Sequence, residues 1–158
     1  MARRILASIL GVVLGLVATL MLISPETWYR LQPGVAAHGP FNSHFVRDIG
    51  CANLLAGVAL VLVGFGVSSS RTLLAVATAF LTLHAFIHLG EWAVGHPPTG
   101  AADFLSVYGP PLICLALLAT DLSAKRQASC LLLRTLRSRP GGSATTRRFT
   151  TDSARSAD

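Results

Sequence analysis

Four long apolar runs alternate with short polar segments along this chain of 158 residues. The runs cover residues 5–23, 45–67, 72–95 and 104–120. A helix needs roughly 20 apolar residues, each rising about 1.5 Å, to cross the hydrocarbon core of a bilayer. The pattern therefore predicts an all-α fold, a polytopic membrane bundle of four helices joined by short loops.

Composition supports that fold class and divides the chain further. Hydrophobic residues make up 52% of the chain and charged residues 13%, whereas an ordinary soluble domain has about 25% charged residues. We therefore expect a transmembrane domain over residues 1–122 and a basic juxtamembrane segment over 123–139. Residues 140–158 contain little that could be buried, so we expect them to form a disordered tail.

The distribution of lysine and arginine predicts the orientation in the membrane. Arg3 and Arg4 precede the first helix, Arg71 lies between the second and third, and eight of the 13 basic residues follow residue 122. The segments 24–43 and 96–103 hold one arginine between them. By the positive-inside rule both termini are cytoplasmic and these two segments form the outer loops.

The basic juxtamembrane segment predicts a lipid partner. Its sequence, KRQASCLLLRTLRSR at 125–139, places leucines and arginines on opposite sides of a helix that could lie on an anionic cytoplasmic leaflet. Nucleic-acid binding is the alternative suggested by the net charge of +6. We predict no nucleic-acid partner, because topology alone accounts for a basic segment at this position.

Ionisable residues inside the predicted spans mark the candidate site. They cost about 2.5–3.5 kcal/mol at a helix centre and normally face the protein interior with a partner. On the third helix His84, His88 and Glu91 follow the spacing i, i+4, i+7, which places them on one face. Two further histidines, His38 and His96, lie in the predicted outer loops.

The second helix carries a triplet with the same spacing, His44, Asp48 and Cys51. If the two helices run antiparallel, each member of this triplet lies at the depth of one member of the other. The expected pairs are His44 with Glu91, Asp48 with His88, and Cys51 with His84. The sequence therefore predicts a polar site between the second and third helices that opens to the outer side.

A transition metal is the first hypothesis for that site. Imidazole nitrogen, carboxylate oxygen and a deeper thiolate are ligands for zinc, copper or iron. The proposed metal ligands are His44, Asp48, His84, His88 and Glu91, with Cys51 a weaker candidate. A b-type haem is disfavoured, because His84 and His88 share one face and cannot both be axial ligands. No catalytic residue is identified, and whether the chain is an enzyme stays open.

Two other interpretations remain open. In the first, Arg47, Asp48 and Glu91 form a structural ion-pair network in a protein without catalytic activity. In the second, the chain is a proton-coupled carrier of small solutes, which would have to be a homo-oligomer because four helices enclose no pathway alone. Tyr108, in the outer half of the fourth helix, is a candidate hydrogen-bond donor at the site.

Two motifs carry a resemblance to a known group of proteins. The stretch WYRLQPGVAAHGPFNSHFVRDIG at 28–50 and the stretch HAFIHLGEW at 84–92 resemble a widespread family of small bacterial four-helix membrane proteins. In general layout the chain is also similar to DoxX-like membrane proteins. The resemblance implies the four-helix architecture and a bacterial inner-membrane location, and it implies no activity, substrate or cofactor.

Overall fold

A computed structural model describes the backbone of residues 1–37 and 39–137, and the side chains of these residues except 121, 122 and 124–137. Five α-helices form in that part of the chain, together with one 3₁₀ turn, Val35–Ala37. The helices are α1 (Ala2–Ile23), α2 (Pro25–Leu31), α3 (Ser43–Phe65), α4 (Ser70–Ala93) and α5 (Ala101–Arg137). No strand occurs among the described residues.

Four of these helices are long and apolar enough to cross a membrane: α1, α3, α4 and the Ala101–Thr120 part of α5. Only 22–33% of each span is buried inside the bundle. The exposed remainder carries large apolar side chains such as Leu55, Val76 and Ile87, which suit lipid rather than water. The prediction of an all-α fold with four helices that could cross a membrane is confirmed.

Local signals place the ends of α3 two residues before the predicted bounds of 45 and 67. The Asn42 side chain accepts hydrogen bonds from the backbone N–H groups of His44 and Phe45, both at 3.1 Å, so the helix starts at Ser43. Gly66 adopts a left-handed conformation with φ +74° and ends the helix at Phe65. Capping, rather than hydropathy, therefore decides where the helix begins and ends.

The closest packing in the bundle joins α1 to α3 through glycines. A Cβ atom on Gly11 would lie 2.6 Å from Gly57 O, and one on Gly57 would lie 3.0 Å from Gly15 N. Gly50 meets Met21 in the same way, at 3.0 Å. Because small residues let membrane helices approach backbone to backbone, this seam fixes how α3 is rotated about its axis.

The remaining helices complete one core. It is built from side chains of α1, α3, α4 and α5, among them Leu10, Leu60, Leu74 and Leu117. Cys114 of α5 is fully buried in the same core as Leu74 and Leu81 of α4, so these two helices share it. The bundle, Met1–Ser123, is separate from the segment that follows it, whose backbone is helical as far as Arg137.

One end of the bundle, where α1 meets α2 and α4 meets α5, is called the α2 end. The unpredicted helix α2 forms here because Pro25 suits the first turn of a helix and the Ser24 hydroxyl donates to Thr27 Oγ1 at 2.7 Å. Gln32 donates to Ser106 Oγ at 2.9 Å. The Gln32–Ser106 hydrogen bond holds the segment between α1 and α3 against the start of α5.

Candidate functional site

Three ionisable side chains form a line on α4, as the spacing predicts. His88 Nδ1 lies 3.0 Å from Glu91 Oε2. The imidazole rings of His84 and His88 meet edge to face, with centroids 4.9 Å apart. His84 interacts electrostatically with both His88 and Glu91. The line of His84, His88 and Glu91 is called the α4 triad.

The α4 triad descends from the α2 end toward the middle of the helix. At 1.5 Å per residue, Glu91 lies about 3 Å, His88 about 8 Å and His84 about 14 Å from the last residue of α4. All three residues are half-buried. Charge at such depth costs free energy unless it is paired, and a protonated His88 would provide that pairing for Glu91.

Below the α4 triad, α4 becomes apolar on its buried side. The Phe80 ring stacks with the His84 imidazole at a centroid distance of 6.0 Å. Leu74, Ala77 and Leu81 then join the hydrophobic core. On the side away from the α2 end, the α4 triad is therefore bounded mainly by apolar side chains, with Thr78 as a buried polar residue among them.

Helix α5 adds Tyr108 to this region. Tyr108 lies within electrostatic range of Glu91 and of Asp103, and its ring packs on Phe104 with centroids 4.7 Å apart. Its hydroxyl is buried, with no hydrogen-bond partner among the described residues. Tyr108 therefore lies near the α4 triad, and its role as a hydrogen-bond donor stays a prediction.

Asp103 connects the start of α5 with residues on either side of it in the bundle, Thr99 and Gly34. This carboxylate is only 5% exposed and accepts from Thr99 N at 2.9 Å and from Thr99 Oγ1 at 3.2 Å. It also contacts Gly34, whose φ of +81° and lack of a side chain allow the close approach. Asp103 caps the start of α5 and holds the segment between α1 and α3 against this helix.

The triplet on α3 has a different environment. His44 Nε2 lies 3.5 Å from Asp48 Oδ2, but the two side chains are 88% and 62% exposed. Cys51 is also exposed. The same face continues with Leu55 and Val58, at 73% and 50% exposure. The α3 triplet therefore lies on the lipid-facing surface, not in the interior.

The glycine seam explains this orientation. Gly50, Gly57 and Gly64 recur every seven residues, so they share one side of α3. At about 100° per residue, that side lies nearly opposite the side that carries His44 and Cys51. Packing Gly57 on α1 directs the α3 triplet outward. This spacing is the signal in the sequence that could have predicted the rotation.

Arg47 is engaged by α1. Its Nε donates to Leu22 O at 3.2 Å, which satisfies a carbonyl near the end of that helix. Asp48 contacts His44, and Glu91 contacts His88. These contacts differ from the ion-pair network of Arg47, Asp48 and Glu91 that the sequence suggests.

The structure does not bring the five predicted metal ligands together. Among the residues that it describes, no group of three or more His, Cys, Asp or Glu side chains is placed to hold a metal ion. The α4 triad remains one cluster, while His44 and Asp48 form a separate pair. His96 is exposed, and His38 lies outside the described residues, as do residues 138–158.

Comparisons with known proteins add no identification. No protein-family model, curated protein or solved structure matches this chain. The resemblance to small bacterial four-helix membrane proteins remains a prediction from the two motifs at 28–50 and 84–92. The function is consequently inferred from the geometry of the α4 triad.

Proposed function

We propose that this chain is a multi-pass inner-membrane protein that takes up protons from the outer side at the α4 triad. The observation that carries the proposal is the 3.0 Å contact of His88 Nδ1 with Glu91 Oε2, continued inward by the His84 ring at 4.9 Å. Ionisable groups within a span indicate a functional site by default. A chain of His and Glu suits proton transfer because imidazole both accepts and donates a proton.

The site would work from one side only. Glu91 lies nearest the α2 end and would exchange protons with water, and His88 would pass them to His84. Between His84 and Arg71, α4 carries no further ionisable side chain, only hydroxyls such as that of Thr78 and apolar residues such as Phe80. The triad would therefore load and unload at one face, as a proton-coupled carrier or other proton-responsive protein requires, without leaking protons across the membrane.

The placement of charges supports an outward-facing α2 end. The Arg4 guanidinium lies against Gly66, so the N-terminus meets the α3–α4 connection at the opposite end of the bundle, where Arg71 lies in the first turn of α4. At the α2 end, Arg30 is paired with Glu26 at 2.5 Å. By the positive-inside rule, the proposed topology has both termini in the cytoplasm, and the basic segment after residue 122 beside anionic lipids.

Site-resolved protonation tests this proposal. The experiment records ¹⁵N spectra of the imidazoles against pH, with full-length protein in lipid nanodiscs. In Glu91→Gln protein we expect the imidazole ¹⁵N signals of His88 and His84 to move while those of His44 stay unchanged. The matched control, Asp48→Asn, should move only His44. If Glu91→Gln leaves His88 and His84 unchanged, the α4 triad is not a coupled proton site and the proposal fails.

A transition-metal site is the second candidate. Two imidazoles one helical turn apart, with centroids at 4.9 Å, are two donors that a zinc, copper or iron ion could use. The described residues place no third donor with them, so the remaining ligands would have to be water or groups from elsewhere. Elemental analysis of purified protein separates the candidates. A metal site requires near-stoichiometric metal in the wild type and its loss in the double variant His88→Ala, Glu91→Ala. Equal trace metal in both proteins would eliminate it.

A further inference from the structure

A second polar patch lies on α3 and takes no part in the α4 triad. It consists of His44, Arg47, Asp48 and Cys51 and is called the α3 polar face. All four residues are exposed. At 3.6 residues per turn they lie within an arc of about 100° on one side of the helix. The rest of that side is apolar, with Leu55 and Val58 exposed.

Part of this patch lies at a depth where lipid is a poor neighbour. The 23 residues of α3 span about 35 Å, slightly more than the hydrocarbon core of about 30 Å. Asp48 lies about 8 Å and Cys51 about 12 Å along the helix from Ser43. A carboxylate that is 62% exposed at this level needs a polar neighbour, and its own helix offers it only the 3.5 Å contact with His44.

The patch is complementary to itself. Arg47 and His44 supply positive or protonatable groups, and Asp48 supplies a negative group on the same turn and a half of helix. Two copies that insert the same way are related by a twofold axis along the membrane normal, which brings identical patches together at equal depth. Across such an axis, Asp48 of each copy lies near Arg47 and His44 of the other.

We propose that the α3 polar face is the interface with a second copy of this chain, α3 packed against α3 around Asp48 and Cys51. The other sides of α3 are taken, since Gly50 and Gly57 pack on α1 and Leu60 lies in the core. In the dimer Asp48 exchanges lipid for charged partners. The glycine seams stay inside each copy, and the α4 triads keep their separate positions.

Cys51 makes the proposal testable in the native membrane. The test protein carries Cys114→Ala and Cys130→Ser, so that Cys51 is its single thiol. Copper phenanthroline oxidation should then convert most of the full-length protein into a disulfide-linked dimer. The matched control removes Cys51 as well and introduces Val76→Cys, on an exposed part of α4 (62% exposed). This control should remain largely monomeric.

The role of charge is tested by Asp48→Asn in the same single-cysteine protein. We expect the dimer fraction to fall at low expression, by about threefold in the association constant for each interhelical hydrogen bond that the substitution removes. Circular dichroism and thermal unfolding should stay unchanged, because the carboxylate is exposed. If Cys51 gives no dimer, cross-links only to another protein, or reacts no faster than the thiol of the Val76→Cys control, the second copy is not the occupant.

Discussion

Two triplets with the same spacing lie in opposite environments in this bundle. His84, His88 and Glu91 follow i, i+4, i+7 along α4 and are half-buried and in contact with one another. The α3 triplet repeats the pattern, but its residues are exposed. Spacing therefore decides which side chains share a face, and it does not decide where that face points.

The smallest residues decide the rotation of α3 about its axis, whereas large apolar residues decide that of α4. On α3, Gly57 approaches the backbone of α1, and Gly50 on the same side approaches the Met21 side chain. A larger residue at Gly57 would collide with the α1 backbone. The polar side must then face away from α1. On α4 no such glycine seam exists among the described residues, since Gly90 has open space beside it, and Leu74 and Leu81 turn the helix toward the core.

The largest expected effect on the free energy of unfolding comes from a substitution in the glycine seam between α1 and α3. This seam is what turns the α3 triplet outward. A Cβ on Gly11 would lie 2.6 Å from Gly57 O, whereas one on Gly15 would meet nothing within 4 Å. Gly11→Ala should therefore lower the free energy of unfolding by about 3 kcal/mol, the upper part of the range for overpacking. Gly15→Ala should be neutral or stabilise by up to about 1 kcal/mol.

Reversible unfolding in mixed micelles measures both glycine variants. If Gly11→Ala and Gly15→Ala lowered the free energy of unfolding equally, steric contact at the seam would not be what positions α3 against α1. If both variants were neutral, glycine packing could not be the cause of the outward rotation of the α3 triplet.

Replacing one histidine in each triplet sharpens the comparison. His88→Leu removes the partner 3.0 Å from Glu91 in a half-buried setting, so we expect a loss of about 2 kcal/mol in the free energy of unfolding. His44→Leu acts on a side chain that is 88% exposed. It should change the stability of the monomer by less than about 0.5 kcal/mol. Chemical unfolding under monomeric conditions checks both, and a loss at His44 equal to that at His88 would contradict the contrast.

The carboxylates give the smallest effect. Glu91→Gln keeps the shape of the side chain but removes the charge that faces His88, and it should cost about 1 kcal/mol. Asp48→Asn should cost about 0.3 kcal/mol in the monomer, because exposed ion pairs contribute little. The same unfolding measurement at neutral pH ranks the two variants. An order with Asp48→Asn the more harmful would indicate that the α3 triplet, rather than the α4 triad, is the buried one.

The sequence predicts the fold well because hydropathy depends on each helix alone. The predicted second and third spans are displaced by only two residues, since Asn42 and Gly66 set the ends of α3 more precisely than apolar length does. Hydropathy does not reveal helix α2, because its seven residues have neither the length nor the periodicity of a span.

The candidate site is predicted only in part, for a related reason. His84, His88 and Glu91 belong to one helix, so helical geometry alone brings them together. Pairing Asp48 with His88 requires the rotation of two helices, which hydropathy and spacing leave undefined. The heptad spacing from Gly50 to Gly57 carries that information, because glycine selects the side of closest approach.

The position of His84 has an electrical consequence. On the proposed topology, a proton bound there has entered about 14 Å from the outer end of a helix about 36 Å long. It has therefore crossed roughly 40% of the membrane field, and a potential of 100 mV, at about 2.3 kcal/mol per full charge, would change its binding by about 0.9 kcal/mol. With the cytoplasm negative, an energised membrane would raise the proton-binding constant of His84 by about fivefold, so the site would respond to voltage as well as to acidity.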